Sequence, residues 1–406
     1  MEESFNVHLG KKLRMRRLSL GLTQTKVAQA INVTFQQIQK YEKGTNGVSS
    51  NRLMQLSQFL KVPIIYFFED YKEFKDAMKM QALPMYNAGY ADKSGNIFYV
   101  YNAMIPKRSE RYDWSGYVPG NTSDALWQDY INFDDLPQTT NPPGGYFQNC
   151  NANPFLATGK REDISPKEIS LTTGIETHQT NRSMRVIRLF DNDSLISREE
   201  FLQYKYDRQY EKNSVMAYAI NRLVEDINTD DIELLAAVDL LKNWNLRTDM
   251  NNRAAALAIM TFPLKFDIAD YDHDIDRLMV KLRESINKLK THYGRFDVPL
   301  GEVQRLVRGD LDLPLDGGPG NLRAIYTKWE DGKLIANTGD CYFQIVEWDK
   351  NGKVSAQSIH QYGSAVNDKS SKFYNNQSPL FSSKKMKPVW ICLLYTSDAA
   401  DEEDSV

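Results

Sequence analysis

The sequence predicts two unlike parts in one chain. The first is an all-α unit over residues 1–69. The second is an α+β region over residues 70–392, and an acidic tail, 393–406, follows it. Three observations predict this division. Residues 1–69 read as short amphipathic helices separated by capping and stop residues. After Asp70 the composition shifts toward aromatics, Asn, Gly and Pro. Charge is split as well: residues 1–70 hold ten Lys and Arg against five acids, +5, which leaves −8 for the other residues of a chain whose total is −3.

The 406 residues, 41% hydrophobic and 25% charged, suit a folded protein of two or three domains. No apolar run approaches the roughly 18–20 residues of a membrane span. The polar, basic start is not a secretory leader, so the chain as written reads as cytoplasmic. Cys150, Cys341 and Cys392 are too scattered for a disulfide framework or a CxxC pair, and the five histidines show no HExxH spacing. Neither a metal nor a cofactor is expected.

The elements follow in order. His8 to Leu20 is expected helical, with Leu9, Leu13 and Leu18 near one face and Lys11, Lys12, Arg14, Arg16 and Arg17 largely on others. Gly21 stops it. Thr23 caps a helix carrying Val27, Ala28 and Ile31 inward, and Thr34 caps a third, Phe35 to Lys43, closed by Gly44. Ser49 or Ser50 caps a fourth, with Leu53, Leu56 and Leu60 inward, and Ile64 to Phe68 forms a final turn or short helix. Beyond it, Phe74 to Met80 reads as helix, and Asp92-Lys93-Ser94-Gly95 reads as a hairpin turn before a strand, Ile97 to Tyr101. Residues 109–160 are loop-rich. Arg182 to Tyr293 is mostly helical, with Leu234, Leu235, Val238, Leu241 and Trp244, then Ile275, Leu278, Val280 and Leu282, at helical spacing. Strands are expected again from Leu322, with a hairpin made of Cys341 to Trp348 and Val354 to Ile359.

Two short helices with a tight turn, the second with a polar outer face, form the helix-turn-helix pattern. Leu22 to Gly44 resembles the phage-repressor (Cro/XRE-type, lambda-repressor-like) DNA-binding family, with Gln24, Ala28, Ile38, Glu42 and Gly44 at its expected positions. The helix after the turn enters the major groove N-terminus first. Thr34, Phe35, Gln36, Gln37, Gln39 and Lys40 are its candidate contacts: Gln pairs with adenine, Lys reaches guanine, Phe touches a thymine methyl. The resemblance places Gln24 against a phosphate. Arg14, Arg16 and Arg17 supply general attraction or are simply a solvated face. The partners so implied are double-stranded DNA and a second copy of the chain.

Further pieces lie beyond residue 86: Ala91 to Tyr99 (AD-x-x-GNI-x-Y), Pro106 to Arg108, Trp114 to Gly120, Asn141 to Phe155 (NPPGGYFQNCNANPF), Thr180 to Arg182, Gly339-Asp340, Tyr362 to Ser364, and Ser370 to Gln377. Together, over nearly all of 72–390, they resemble the penicillin-acylase family of N-terminal-nucleophile amide hydrolases, which includes acyl-homoserine-lactone acylases. The resemblance implies part of an αββα hydrolase fold and an acyl-amide ligand. It makes Asn151 the oxyanion-hole asparagine and Arg182 its supporting arginine. Taken from spacing alone, Asn151 is a turn asparagine and Arg182 a surface or ion-pair arginine. The acylase-like part resembles exported enzymes.

The departures are as informative. In the family, a serine at the start of the β-chain attacks the amide and its own α-amine is the base. Here the helix-turn-helix unit occupies that place, and Phe373-Tyr374-Asn375-Asn376-Gln377 stands where the family has His-Tyr-x-Asp-Gln. The tail reads as disordered or as translated sequencing-adapter sequence. With the abrupt junction near residue 70, this favours a chimeric or truncated gene product: a DNA-binding regulator unit joined to an acylase β-chain remnant that lacks its nucleophile. The alternative is a penicillin-acylase-family hydrolase of linear amide C–N bonds with an incidental helix-turn-helix part.

Overall fold

A computed structural model describes residues 5–67, 78–81, 85–159, 164–262, 275–349 and 351–390. The expected junction near residue 70, most of the helix from Phe74, His273, Cys392 and the tail lie outside them. The chain forms two compact units. One comprises 1–91, 97–141 and 164–175; the other comprises 92–96, 142–163 and 176–406.

The first unit opens with four helices: α1 (Phe5–Ser19), α2 (Gln24–Ala30), α3 (Phe35–Lys43) and α4 (Ser50–Phe59), then a 3₁₀ turn at Ile64–Phe67. The expected caps form. Thr23 accepts from the Lys26 amide, Thr34 from the Gln37 amide and Ser49 from the Arg52 amide, satisfying donors that each helix start leaves open. Gly44 takes a φ of 68° and ends α3. Leu9, Leu13, Val27, Ile31, Ile38, Leu53, Leu56, Leu60 and Phe67 close the core. Leu18, expected inward, is 56% exposed, because it sits one residue past Arg17, which takes the buried direction. Gly10 matters to this packing: a Cβ there would fall 2.4 Å from the Tyr41 carbonyl oxygen, so α1 touches the end of α3 backbone to backbone.

The same unit carries a three-stranded sheet in the order β1-β2-β3, from β1 (Tyr86–Ala91), β2 (Ile97–Asn102) and β3 (Gln138–Thr140), antiparallel throughout. The residues between the last two strands form loops and short 3₁₀ turns, as expected. Phe98, Val100, Ile105, Phe133 and Leu136 form its core.

The second unit is helical first: α5 (Asn181–Asp191), α6 (Arg198–Lys205), α7 (Val215–Asp226), α8 (Ile232–Lys242), α9 (Ala255–Thr261), α10 (Ile275–Tyr293) and α11 (Leu300–Val303). Leu223, Leu241, Leu257, Leu282, Ile286 and Leu289 fill the centre. Leu235 and Val280 do not join them; each is about half exposed, and in each case a neighbour, Leu234 or Leu282, takes the inner position.

Strands return at Gln304, not Leu322. They are β4 (Gln304–Arg308), β5 (Leu311–Pro314), β6 (Ile325–Glu330), β7 (Lys333–Gly339), β8 (Phe343–Trp348) and β9 (Val354–Ile359), then α12 (Ser378–Ser382) and β10 (Lys387–Pro388). The early pair escaped the hydrophobic pattern because β4 starts on a polar residue, Gln304, that is wholly buried and bonds to the Leu315 and Gly317 carbonyls. One sheet runs β5-β4-β7-β6, with β4 and β7 parallel; the other runs β10-β9-β8. Leu306, Leu315, Ile325, Ile359 and Phe381 pack between them.

Candidate functional sites

In the helix-turn-helix unit, α3 presents Thr34, Phe35, Gln36 and Lys40 to solvent, while Gln37 and Gln39 are half-buried. Phe35 is 42% exposed, a large apolar side chain without cover at the start of the helix. Behind this face Ile38, Tyr41 and Glu42 are buried. Glu42 is held by Arg17, whose Nε donates to Oε1 at 2.5 Å and whose Nη2 donates to Oε2 at 3.0 Å. The Glu42 hydrogen bond pushes the Arg17 guanidinium above its ordinary value, against the effect of burial.

Three of the expected contacts are engaged within the protein. Arg17 is buried, so it is not a surface contact for phosphate. Gln24 Nε2 donates to Glu42 Oε2 at 2.6 Å, so its amide is engaged within the protein. Arg16 Nε donates to the Leu60 carbonyl at 3.0 Å and its Nη2 to the Lys61 carbonyl at 3.3 Å, capping the end of α4. Arg14 and Lys11 stay exposed; Lys12 is buried, its ammonium 4.5 Å from the Tyr66 ring centre.

The second candidate site is in the other unit. Asn151 has a φ of 57°, which asparagine tolerates better than most residues. Its amide N–H is fixed by Asn149 Oδ1 at 2.9 Å, and its side chain is exposed. Arg182, near the start of α5 where Thr180 caps the helix, donates from Nη1 to Asn151 Oδ1 at 3.1 Å. The two residues singled out in the sequence are therefore in contact. That hydrogen bond engages the amide oxygen and leaves the Asn151 NH₂ as a neutral donor.

Two residues not foreseen tie the loop down. Asn153 Nδ2 donates to the His178 carbonyl at 2.5 Å, and Gln179 Nε2 donates to Asn153 Oδ1 at 3.0 Å. The alternation of Asn149, Asn151 and Asn153 was a signal for the first; Gln179 had none. Asn181, beside Arg182, bonds the Gln209 and Gly320 carbonyls. A hollow of about 30 Å³ adjoins Arg182, lined by His178, Asn181, Tyr210, Ser214 and Tyr326, room for about one water. Burial pushes the Cys150 thiol up, outweighing the opposing pull of Arg182 and Lys205, so it is a poor thiolate source. His178 lies 3.7 Å from Glu176, His292 packs on Trp329 and His360 on Tyr342. Among the described residues no group of three or more His, Cys, Asp or Glu is placed to hold a metal ion, and no helix is long and apolar enough to cross a membrane.

Comparison with known proteins agrees with both halves. Residues 13–67 match the helix-turn-helix family. An uncharacterised HTH-type transcriptional regulator of Sinorhizobium medicae (strain WSM419) is 52% identical over 65 residues, 16% of this chain and 47% of that protein. The chain thus spans about half the length of this curated relative. The acyl-homoserine lactone acylase PvdQ of Pseudomonas fluorescens (strain Pf0-1) is 36% identical over 101 residues, 24% of this chain and 12% of that protein. A thermostable penicillin G acylase from Alcaligenes faecalis superposes with a TM-score of 0.53 at 16% identity, covering 87% of this chain and 72% of that one, which shows a shared fold. The penicillin amidase family matches residues 58–393, and with that span, most of its length, the chain belongs to the penicillin amidase family, behind an N-terminal helix-turn-helix unit.

Proposed function

We propose that residues 1–69 bind duplex DNA sequence-specifically, as a homodimer on a palindromic site with half-sites about one helical turn apart, and that the chain acts as a transcription regulator. One observation carries this reading: a helix capped at Thr34 presents Phe35, Gln36 and Lys40 to solvent while its other face is locked into a core. The net charge of +5 over residues 1–70 supports it. The test is selection of bound duplexes from a random pool, followed by titration at several salt concentrations. Enrichment of a palindrome supports the reading; binding with no sequence preference and no salt dependence overturns it.

For the acylase-like region we propose the layered αββα hydrolase architecture in incomplete form, and no amide hydrolysis. Acyl transfer needs a nucleophile, a base and two oxyanion donors. The Arg182–Asn151 pair supplies one donor and its support. The helix-turn-helix unit occupies the place where the family resemblance puts the nucleophilic serine. The same pair favours the second reading, a hydrolase of linear amides, to the extent that an oriented oxyanion donor survives. The junction near residue 70 is proposed to be an artefactual join of a regulator start to an acylase β-chain remnant, and long-read sequencing across codons 65–75 of the source DNA tests it: an uninterrupted reading frame in independent molecules overturns the join.

A further inference from the structure

Between the two sheets of the second unit lies a cavity of about 420 Å³, within the size range of small-ligand sites. Its inner wall is apolar: Leu306, Leu315, Ile325, Ala336 and Phe381. Two polar groups at this cavity have hydrogen-bonding capacity to spare. Arg308 shares a strand face with Leu306. Its Nη2 donates to the Val366 carbonyl at 2.7 Å and its Nε to the Tyr374 carbonyl at 3.3 Å, leaving Nη1 without an acceptor among the described residues. The guanidinium is clamped between two rings, 4.1 Å from the Tyr362 centre and 3.8 Å from that of Tyr374, so its direction is fixed before any ligand arrives. The second group is the Gln361 side-chain amide, whose buried Oε1 has no hydrogen-bond partner among the described residues. The other charges at this cavity are already matched, since Asp340 receives Lys205 and Arg323.

A pre-oriented guanidinium is suited to a carboxylate, with which it makes short charge-assisted hydrogen bonds. The Gln361 amide, rotated about its last bond, offers the same carboxylate an N–H. We propose that this cavity binds a monocarboxylate with an aliphatic or arylaliphatic tail, its head on Arg308 and Gln361 and its tail against Leu306, Leu315, Ile325 and Phe381. The site is separate from Asn151 and Arg182, and it rests on neither the DNA-binding reading nor any catalysis.

The test is calorimetric titration of the full chain with octanoate, with octanol as the uncharged probe of equal tail length. One equivalent of octanoate is expected to bind, with octanol at least about tenfold weaker. Arg308→Gln is expected to weaken octanoate about tenfold. Arg308→Lys, which keeps the charge and guards against a folding artefact, is expected to lose less. Ala336→Phe, which fills the apolar end, is expected to weaken octanoate and octanol together. Equal affinity for the two probes, or octanoate affinity unchanged in folded Arg308→Gln, overturns the proposal. So does octanoate affinity that falls in Asn151→Ala but not in Arg308→Gln, because the ligand would then sit at the other site.

Discussion

Arg17 and Glu42, on different helices and 25 positions apart, form a two-point ion pair in which both side chains are under one-tenth exposed. The pair joins α1 to α3, the helix that carries the exposed polar face. Removing one member leaves a buried charge without its counter-charge, a loss of about 3–5 kcal/mol. Arg17→Met and Glu42→Leu are each expected to speed amide exchange across residues 35–43, and the double variant to recover most of the protection. Single variants with wild-type exchange would contradict this.

Gln36 and Arg14 should separate in their effects on DNA. Gln36→Ala is expected to relax base preference at one operator position by about 1–3 kcal/mol, while Arg14→Ala weakens all sequences alike and lowers the salt slope by about one. Arg16→Ala should weaken all sequences too, but with a drop in melting temperature, because Arg16 also caps α4. Competition binding at two salt concentrations, alongside thermal melts, distinguishes the three.

Gly10→Ala is expected to destabilise the N-terminal unit by about 1–3 kcal/mol, the usual cost of forcing atoms into a filled space. The added methyl meets backbone, the Tyr41 and Glu42 carbonyls, which cannot swing aside as a side chain does. Gly21→Ala supplies a control: its φ of 60° brings strain, but nothing lies within 4 Å of the new carbon. Circular dichroism melts giving Gly21→Ala the larger loss would show that backbone conformation, not contact, dominates.

Acid should loosen the second unit through Asp249. Burial raises the Asp249 carboxyl, but the Arg247 hydrogen bond and the Arg208, Arg247 and Lys384 charges win and hold it below its ordinary 3.8. A carboxylate depressed by folding adds stability above its unfolded value and loses it as pH falls toward the folded one. Melting temperature should therefore drop below about pH 4, and less steeply in Asp249→Asn. Parallel profiles would remove Asp249 from the account.

No turnover is expected on a long-chain acyl-homoserine lactone or on a chromogenic phenylacetyl amide. Loss of one oxyanion donor alone costs about 10²–10³ in rate, and here the nucleophile is proposed to be missing as well. Acid release above background that vanishes in Asn151→Ala would show a working enzyme.

The N-terminal helices were legible because their signals are local. Thr23, Thr34 and Ser49 cap within three residues, and Gly44 takes the left-handed turn that only glycine adopts freely. The Arg17–Glu42 pair was not legible, because a basic residue on a helix looks solvent-facing until its partner folds against it. The Leu18, Leu235 and Val280 exposures share a cause: helical spacing fixes a stripe, and tertiary packing decides how wide it is. Contact between Asn151 and Arg182 was read only through the family resemblance, since no periodicity links a loop to a helix start 31 residues on. The spare hydrogen-bonding capacity of Arg308 Nη1 and Gln361 Oε1 carries no sequence signal at all.

The glycine contact between α1 and α3 has a mechanical corollary. Where two helices meet through side chains, rotamer changes let their spacing breathe; where backbone meets backbone at Gly10, there is no such cushion. On the DNA-binding reading the reading head is thus mounted stiffly. Any mismatch between the two half-sites of an operator must then be absorbed by bending or twisting of the duplex, which makes the uncontacted bases between half-sites a determinant of affinity.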